Sequence, residues 1–191
     1  MKRTPPVIVA ICVLLAAATS FAQTNTNRTA VLSGKASLIL PKGFELMDKK
    51  TIAVKFPRGN PPKEVFSNER GKTSIAITVS ENARLPPDKL PEFRKYIESV
   101  MERMIPGLKW ISREYTEIDG RKWARLELMS NAIDTDIHNI ILITSFEGMP
   151  LMFNFNSIKE EVGALGFELD KSIKSIRIEK EDLRTKESTI P

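Results

Sequence analysis

The stretch WISREYTEIDGRKWARLELMSNAIDTDIHNIILITSFEGMPLMFNFNS, Trp110 to Ser157, decides how the rest of the chain must fold. Ile111 to Ile118 is rich in β-formers and ends at Asp119-Gly120, after which Arg121 to Ser130 follows. An Asp-Gly pair between two such runs predicts a tight hairpin, because a type I′ turn needs positive φ at both central positions. In the second run Ala124, Leu126 and Leu128 alternate with Trp123, Arg125 and Glu127. That is the period of a strand with one apolar and one mixed face. Asn131 to Asp136 is a polar loop, and Ile137 to Phe146 is nearly continuous in apolar residues. Such a run predicts burial on both faces and an interior place in the sheet. Glu147-Gly148 turns the chain again, and Met149 to Ser157 returns with Leu151, Phe153 and Phe155 alternating with Met152, Asn154 and Asn156. The result is an antiparallel meander on which everything else must pack.

Upstream, Lys35 to Leu40 reads as a strand stopped by Pro41-Lys42-Gly43. Ile52, Val54 and Phe56 alternate with Ala53 and Lys55, which predicts another. The proline-rich segment Pro57 to Lys63 is a loop, and Glu64–Asn68 and Thr73–Ser80 form a hairpin around Glu69-Arg70-Gly71-Lys72. After Pro86-Pro87 a helix runs from about Pro91 to Ile105, with Phe93, Ile97, Val100, Met101 and Met104 on one stripe. Downstream of the meander, Ser157 and Glu160 have capping-box spacing and start a second helix with Leu165, Leu169 and Ile173 on its apolar side. Gly163 and Gly166 predict an irregular first half for that helix. Ser175 to Ile178 reads as a last edge strand. Helices separated from runs of antiparallel strands make an α+β domain, here with an antiparallel sheet of about six to eight strands.

The chain has 191 residues, 41% of them hydrophobic, enough for one domain with its own core. That domain spans 35–179. Residues 1–22 have the pattern of a secretory signal peptide: basic Lys2 and Arg3, an apolar run from Val7 to Ala18, and small residues at Ser20 and Ala22. The apolar run falls short of the roughly 20 residues that a spanning helix needs, so cleavage after Ala22 is expected, with no integral span in the mature chain. An uncleaved anchor is the alternative. Residues 23–34 read as a flexible polar leader and 180–191 as a charged disordered tail.

Cys12 is the only cysteine and lies inside the apolar run. The mature chain then has no disulfide and no thiol chemistry, which suits a periplasmic protein held together by its core. The net charge of +5 falls to +3 once Lys2 and Arg3 leave, and the remaining bases are scattered among acids. This excludes a nucleic-acid footprint. No phosphate-binding glycine loop, Gly-x-Ser-x-Gly elbow or HExxH is present, and no cofactor is implied.

The chain resembles the Mog1/PsbP-like superfamily, which includes DUF1795-type bacterial envelope proteins. Three features carry the resemblance over about Lys35 to Glu179: a strand running into Pro41-Lys42-Gly43-Phe44, a helix followed by a meander with turns at Asp119-Gly120 and Glu147-Gly148, and a helix running into Ser172-Ile173-Lys174-Ser175-Ile176. Phe44 stands where many members carry tryptophan. The resemblance implies an α/β/α sandwich, with helices packed on both faces of the antiparallel sheet. It also implies accessory or binding roles rather than chemistry.

The expected function is therefore a secreted, periplasmic, non-enzymatic module that contacts another envelope protein. Trp110, Tyr115, Trp123 and Arg125 are the candidate contact residues, since aromatic and arginine side chains dominate interface hot spots. A second expectation is a pocket for a small hydrophobic ligand between sheet and helix, lined by Phe153, Phe155, Met101 and Met104. A third is a metal-dependent hydrolase on Asp134, Asp136 and His138, alternate residues whose side chains point the same way in an extended segment. The acids Glu114, Glu117 and Glu127 alternate with bases and read as cross-strand ion pairs.

Overall fold

A computed structural model describes residues 27–57, 61–132 and 135–179. The signal-peptide segment, the first part of the leader, Asp134 and the charged tail lie outside the described residues. The ten strands are β1 (Arg28–Val31), β2 (Ala36–Ile39), β3 (Glu45–Leu46), β4 (Glu64–Ser67), β5 (Thr73–Val79), β6 (Lys109–Ile118), β7 (Arg121–Asn131), β8 (Asp136–Phe146), β9 (Met149–Ile158) and β10 (Arg177–Ile178). The helices are α1 (Lys49–Lys55), α2 (Leu90–Met104) and α3 (Lys159–Lys174).

Seven strands form one antiparallel sheet in the order β3-β4-β5-β9-β8-β7-β6, and β1, β2 and β10 form a separate three-stranded sheet. The meander is as the sequence predicts. Asp119 and Gly120 have φ of 55° and 68°, and Glu147 and Gly148 have 52° and 73°. These are the positive values that a two-residue turn matching the sheet twist demands. β8 lies inside the sheet, and every residue from Ile140 to Phe146 is buried.

The large sheet has two unlike faces. On the first, Trp123, Ile140, Leu142, Phe153, Phe155, Ile75 and Ile77 pack against Leu169 and Ile173 of α3 and against Val31, Ala36, Leu38 and Ile178 of the small sheet. On the second, α2 sets Leu90, Phe93, Ile97 and Met101 on Ala124, Leu126, Leu128, Ile141 and Ile143. Next to it α1 sets Ile52 on Val65 and Ala76. Helices therefore cover both faces of the sheet.

Four local expectations need correction. The alternation of Ile52, Val54 and Phe56 belongs to helix α1, not to a strand. Asp48 caps it by accepting from the backbone N–H groups of Lys50 and Thr51 at 2.9 and 3.0 Å. Such a cap supplies partners for donors that have none within the helix. Only Ile52 of α1 is buried, and Val54 is 80% exposed. The leader ends earlier than expected, because Arg28–Val31 pairs with Ala36–Ile39. Ser157 does not cap α3. Its buried hydroxyl lies 3.0 Å from the Thr73 hydroxyl, and Ile158 takes the capping position without a side-chain bond. Finally, α3 is continuous through Gly163 and Gly166.

Candidate functional site: the α2–β6 face

β6 is an edge strand, bonded only to β7 among the described strands, and α2 lies beside it on the second face. Tyr115 points to that face, opposite Ala124 in the register. The Arg94 guanidinium of α2 sits 4.7 Å from the Tyr115 ring centre, and the Lys122 ammonium sits 4.3 Å from it. A cation over an aromatic face is attracted by the ring quadrupole. Arg94 also donates to Glu98 at 2.6 Å, and that carboxylate holds the Arg94 pKa above the usual arginine value. Glu98 meets Arg113 of β6 at 3.5 Å, and Arg113 lies 5.3 Å from the centre of the Trp110 ring. The Trp110 indole N–H in turn donates to Glu102 at 2.9 Å. One continuous chain of cations, rings and carboxylates thus runs across the α2–β6 junction.

Apolar groups surround it. Among the described residues eight large hydrophobic side chains are exposed, and four of them belong to α2 or β6: Tyr96, Met104, Ile111 and Tyr115. Tyr96 is 61% exposed and Met104 75%, while the Phe93 ring lies 6.2 Å from that of Tyr96. Aromatic, methionine and arginine side chains together are the composition that protein interfaces favour.

The four residues proposed from sequence divide into three environments. Trp110 and Tyr115 belong to the α2–β6 network. Trp123 does not: it is 0% exposed, its indole N–H donates to the Ile118 carbonyl at 3.2 Å, and Phe153 packs edge-on against it at 5.9 Å. Helix α3 and the small sheet close the face it occupies, so Trp123 is a core residue. Arg125 shares that face at its polar margin. It bonds Glu127 at 2.8 Å and reaches Glu114 at 3.4 Å, and Glu127 bonds His138 Nε2 at 2.8 Å. Of these contacts, Arg125–Glu114 is a cross-strand ion pair of the hairpin that the alternating charges predict, whereas Arg125–Glu127 lies within β7 and Glu127 reaches His138 of β8.

No family model matches the chain, and no curated protein matches it significantly. Solved structures do. The cyanobacterial PsbP of Synechocystis superposes with a TM-score of 0.57 at 15% identity, over 80% of this chain and 91% of its own. The Ran-binding protein Mog1p of Saccharomyces cerevisiae gives 0.51 at 11% identity, over 79% and 94%. A Pseudomonas aeruginosa protein of unknown function gives 0.51 at 12%, over 80% and 98%. The chain has the Mog1/PsbP-like fold. At these identities the likeness establishes architecture alone, so the function of this Mog1/PsbP-like domain has to come from its own surface.

The other two expectations fare differently. Phe153 and Phe155 lie on the face under α3, whereas Met101 packs on the opposite face under α2 and Met104 points to solvent. They cannot line one pocket, because the sheet itself lies between the two pairs. Of the three metal candidates, His138 turns toward Glu127, Asp136 lies 4.0 Å from the Lys159 ammonium, and Asp134 is outside the described residues. Among the described residues no group of three His, Cys, Asp or Glu side chains is placed to hold a metal ion. No described helix is long and apolar enough to cross a membrane.

Sequence reasoning missed Arg94, Glu98, Arg113 and Lys122, which order the two rings. The helical spacing of Arg94 and Glu98 marks a pair, but their meeting with β6 is a tertiary fact with no local signature.

Proposed function

We propose that this chain is a non-enzymatic accessory protein of the cell envelope that docks another envelope protein through the α2–β6 face. The observation that carries this reading is the Tyr115 ring held between Arg94 and Lys122 beside exposed Tyr96, Met104 and Ile111. Rings fixed in advance by neighbouring cations lose little freedom on binding, and preorganisation of this kind raises affinity. The same side chains latch α2 to β6, yet a latch alone has no need of Tyr96 and Met104 standing in water. The export half of the reading rests on Lys2, Arg3, the apolar run to Ala18 and the small residues ending at Ala22.

The test is photo-crosslinking in intact cells, with the reactive group at position 96, or at position 167 on the outer side of α3 as control. A discrete protein adduct from position 96, absent from position 167 and lost with Tyr115→Ala, is the expected result. A mature mass beginning at Gln23 is expected in the same preparation. Adducts of equal pattern from both positions, or none from position 96, would reject the docking face.

A further inference from the structure

Three of the four sheet edges among the described residues are short: β3 and β10 have two residues each and β1 has four. The fourth, β6, has ten and is bonded on one side only. A long open edge is a template for another strand, and folded proteins blunt such edges by shortness, by bulges or by repelling charge. β6 is bulged only near its start, where the register slips between Trp110 and Ser112. From Ser112 to Ile118 it runs regularly opposite β7.

The hairpin fixes which backbone groups face out. Asp119 and Gly120 form a two-residue turn, so the flanking pair, Ile118 and Arg121, exchange both of their hydrogen bonds. Counting back in twos, Thr116, Glu114 and Ser112 direct N–H and C=O to β7, while Glu117, Tyr115 and Arg113 direct theirs to the open edge. All three of the latter are exposed, and no described strand pairs with them on that side. Their side chains share the face that carries α2. Arg113 keeps 44% of its side chain in water beside Glu98 and Glu102. Glu117 stands opposite Lys122, but Lys122 turns to the Tyr115 ring, and Glu117 has no ion-pair partner among the described residues.

Along the open edge, Arg113-x-Tyr115-x-Glu117 is therefore complementary to itself when reversed. We infer that β6 pairs antiparallel with β6 of a second copy of this chain, about a twofold axis at Tyr115. In that register Arg113 of each copy faces Glu117 of the other, and the two tyrosines meet on the axis. Opposite charges and aromatic pairs set directly across from each other are favourable cross-strand neighbours. The ladder takes in the seven residues from Ser112 to Ile118 and stops short of the bulge. The other registers are poorer. Centring on Arg113, Glu114 or Glu117 sets that residue against itself, like charge on like charge, and centring on Thr116 cuts the ladder to the five residues from Glu114 to Ile118. Pairing joins two sheets into one and sets both α2–β6 faces on the same side of it. It uses the backbone edge of β6 and does not depend on another protein docking on α2. The contact is small and polar, so the dimer is weak.

Sedimentation equilibrium and NMR of the 15N-labelled protein isolated from cells test the pairing. A reversible monomer–dimer equilibrium with Kd near about 100 µM is expected. From dilute protein to about 1 mM, exchange of the Arg113, Tyr115 and Glu117 amides with water should slow about fivefold, while the Glu114 and Thr116 amides, already bonded to β7, do not change. Glu117→Arg and Arg113→Glu should each stay monomeric, and an equimolar mixture of the two should dimerise, because each then faces the other's opposite charges. Glu117→Pro, which removes an outward N–H and no bond to β7, should also stay monomeric with the β8 and β9 resonances unchanged. A protein that is monomeric at about 1 mM overturns the proposal. So does a dimer that survives Glu117→Arg, a slowing of exchange without the alternate-residue pattern, or a mixture no more associated than its components.

Discussion

The two faces of the seven-stranded sheet are built from the same strands and have opposite characters. In β9 the residues Leu151, Phe153 and Phe155 point one way and are buried under α3 and the small sheet, while Asn154 and Asn156 point the other way. On the closed face the apolar surface is continuous from Trp123 to Ile75. On the other face α2 covers the β7–β8 end and α1 covers the β4–β5 end, and the middle strand between them carries amides. One face is closed along its whole width, whereas the other is packed under α2 and α1 at its two ends and carries polar groups on the strand between them. Binding surfaces belong on the uncovered part of the second face, because there a substitution changes chemistry before it changes stability.

The largest expected effect tests that division directly. Trp123→Ala should destabilise the protein by about 3–5 kcal/mol, the cost of a cavity where a large aromatic side chain was fully buried. Tyr115→Ala, on the second face, should cost no more than about 1 kcal/mol, since much of its ring is already wet. Urea unfolding of the two variants measures the gap. Equal losses would mean that the α2–β6 network is as structural as the core and would weaken its claim as a docking face.

That gap also marks what could and could not be seen in the sequence. The alternation in β7 placed Trp123 opposite Ala124, Leu126 and Leu128, correctly. Whether its face was open depended on where α3 packs, more than 30 residues later in the chain, and no local pattern carries that. The meander was legible because its information is local: Asp119-Gly120 and Glu147-Gly148 set both turns, and alternation set both faces. Helix α1 was illegible for the converse reason. Over so few residues, spacings of two and of four both fit Ile52, Val54 and Phe56, and β-branched residues tilt the choice toward strand. Asp48 was the neglected signal, an N-cap residue just ahead of the run. Asn154 and Asn156 were visible too, as the polar half of an alternating strand. Nothing local showed that the strand would be the middle one of seven, where amides are out of place.

A smaller effect comes from the margin of the closed face. Arg125, Glu127 and His138 form a half-buried chain at 2.8 Å spacings. Glu127→Ala removes the acceptor for both neighbours at once, and the loss should cost about 1 kcal/mol, since Arg125 keeps Glu114 at 3.4 Å. Arg125→Met should cost less, because the aliphatic stem retains its packing while the charge is lost. A double substitution should then cost less than the sum of the singles, as expected of groups in one network. Additive losses in thermal unfolding would show that Arg125 and Glu127 contribute independently.

The sign reverses on the middle strand of the sheet. Asn156→Leu replaces an amide whose oxygen has no partner with an apolar group on a sheet floor beside Ile137 and Ile158. It should raise stability by about 1 kcal/mol, because it removes the cost of a buried acceptor that has no donor. The same change at Asn139, whose amide donates to Ser130 and to the Ile137 carbonyl at 3.0 Å, should lower stability, because it strips two made bonds. A loss of stability at both positions in calorimetry would place Asn156 among the structural amides.

The smallest effect tests whether the two faces open independently. Asp48 caps α1, and its pKa is lowered first by the bond from the Thr51 hydroxyl and then by the backbone N–H groups of Thr51 and Lys50. A carboxylate with a lowered folded-state pKa adds stability above the unfolded value of about 4 and loses it as pH falls through the folded value. The contribution of Asp48 is therefore full at neutral pH and disappears in acid. Because α1 buries little besides Ile52, the loss should appear as local opening and not as global unfolding. Hydrogen exchange, corrected for its intrinsic pH dependence, should show α1 amides losing protection below about pH 4 while β8 and β9 keep theirs. Asp48→Asn should blunt that pH dependence without touching β8. If instead β9 loses protection together with α1, the second face is braced by its short helix as firmly as the first is by α3, and the contrast between a structural face and a functional one dissolves.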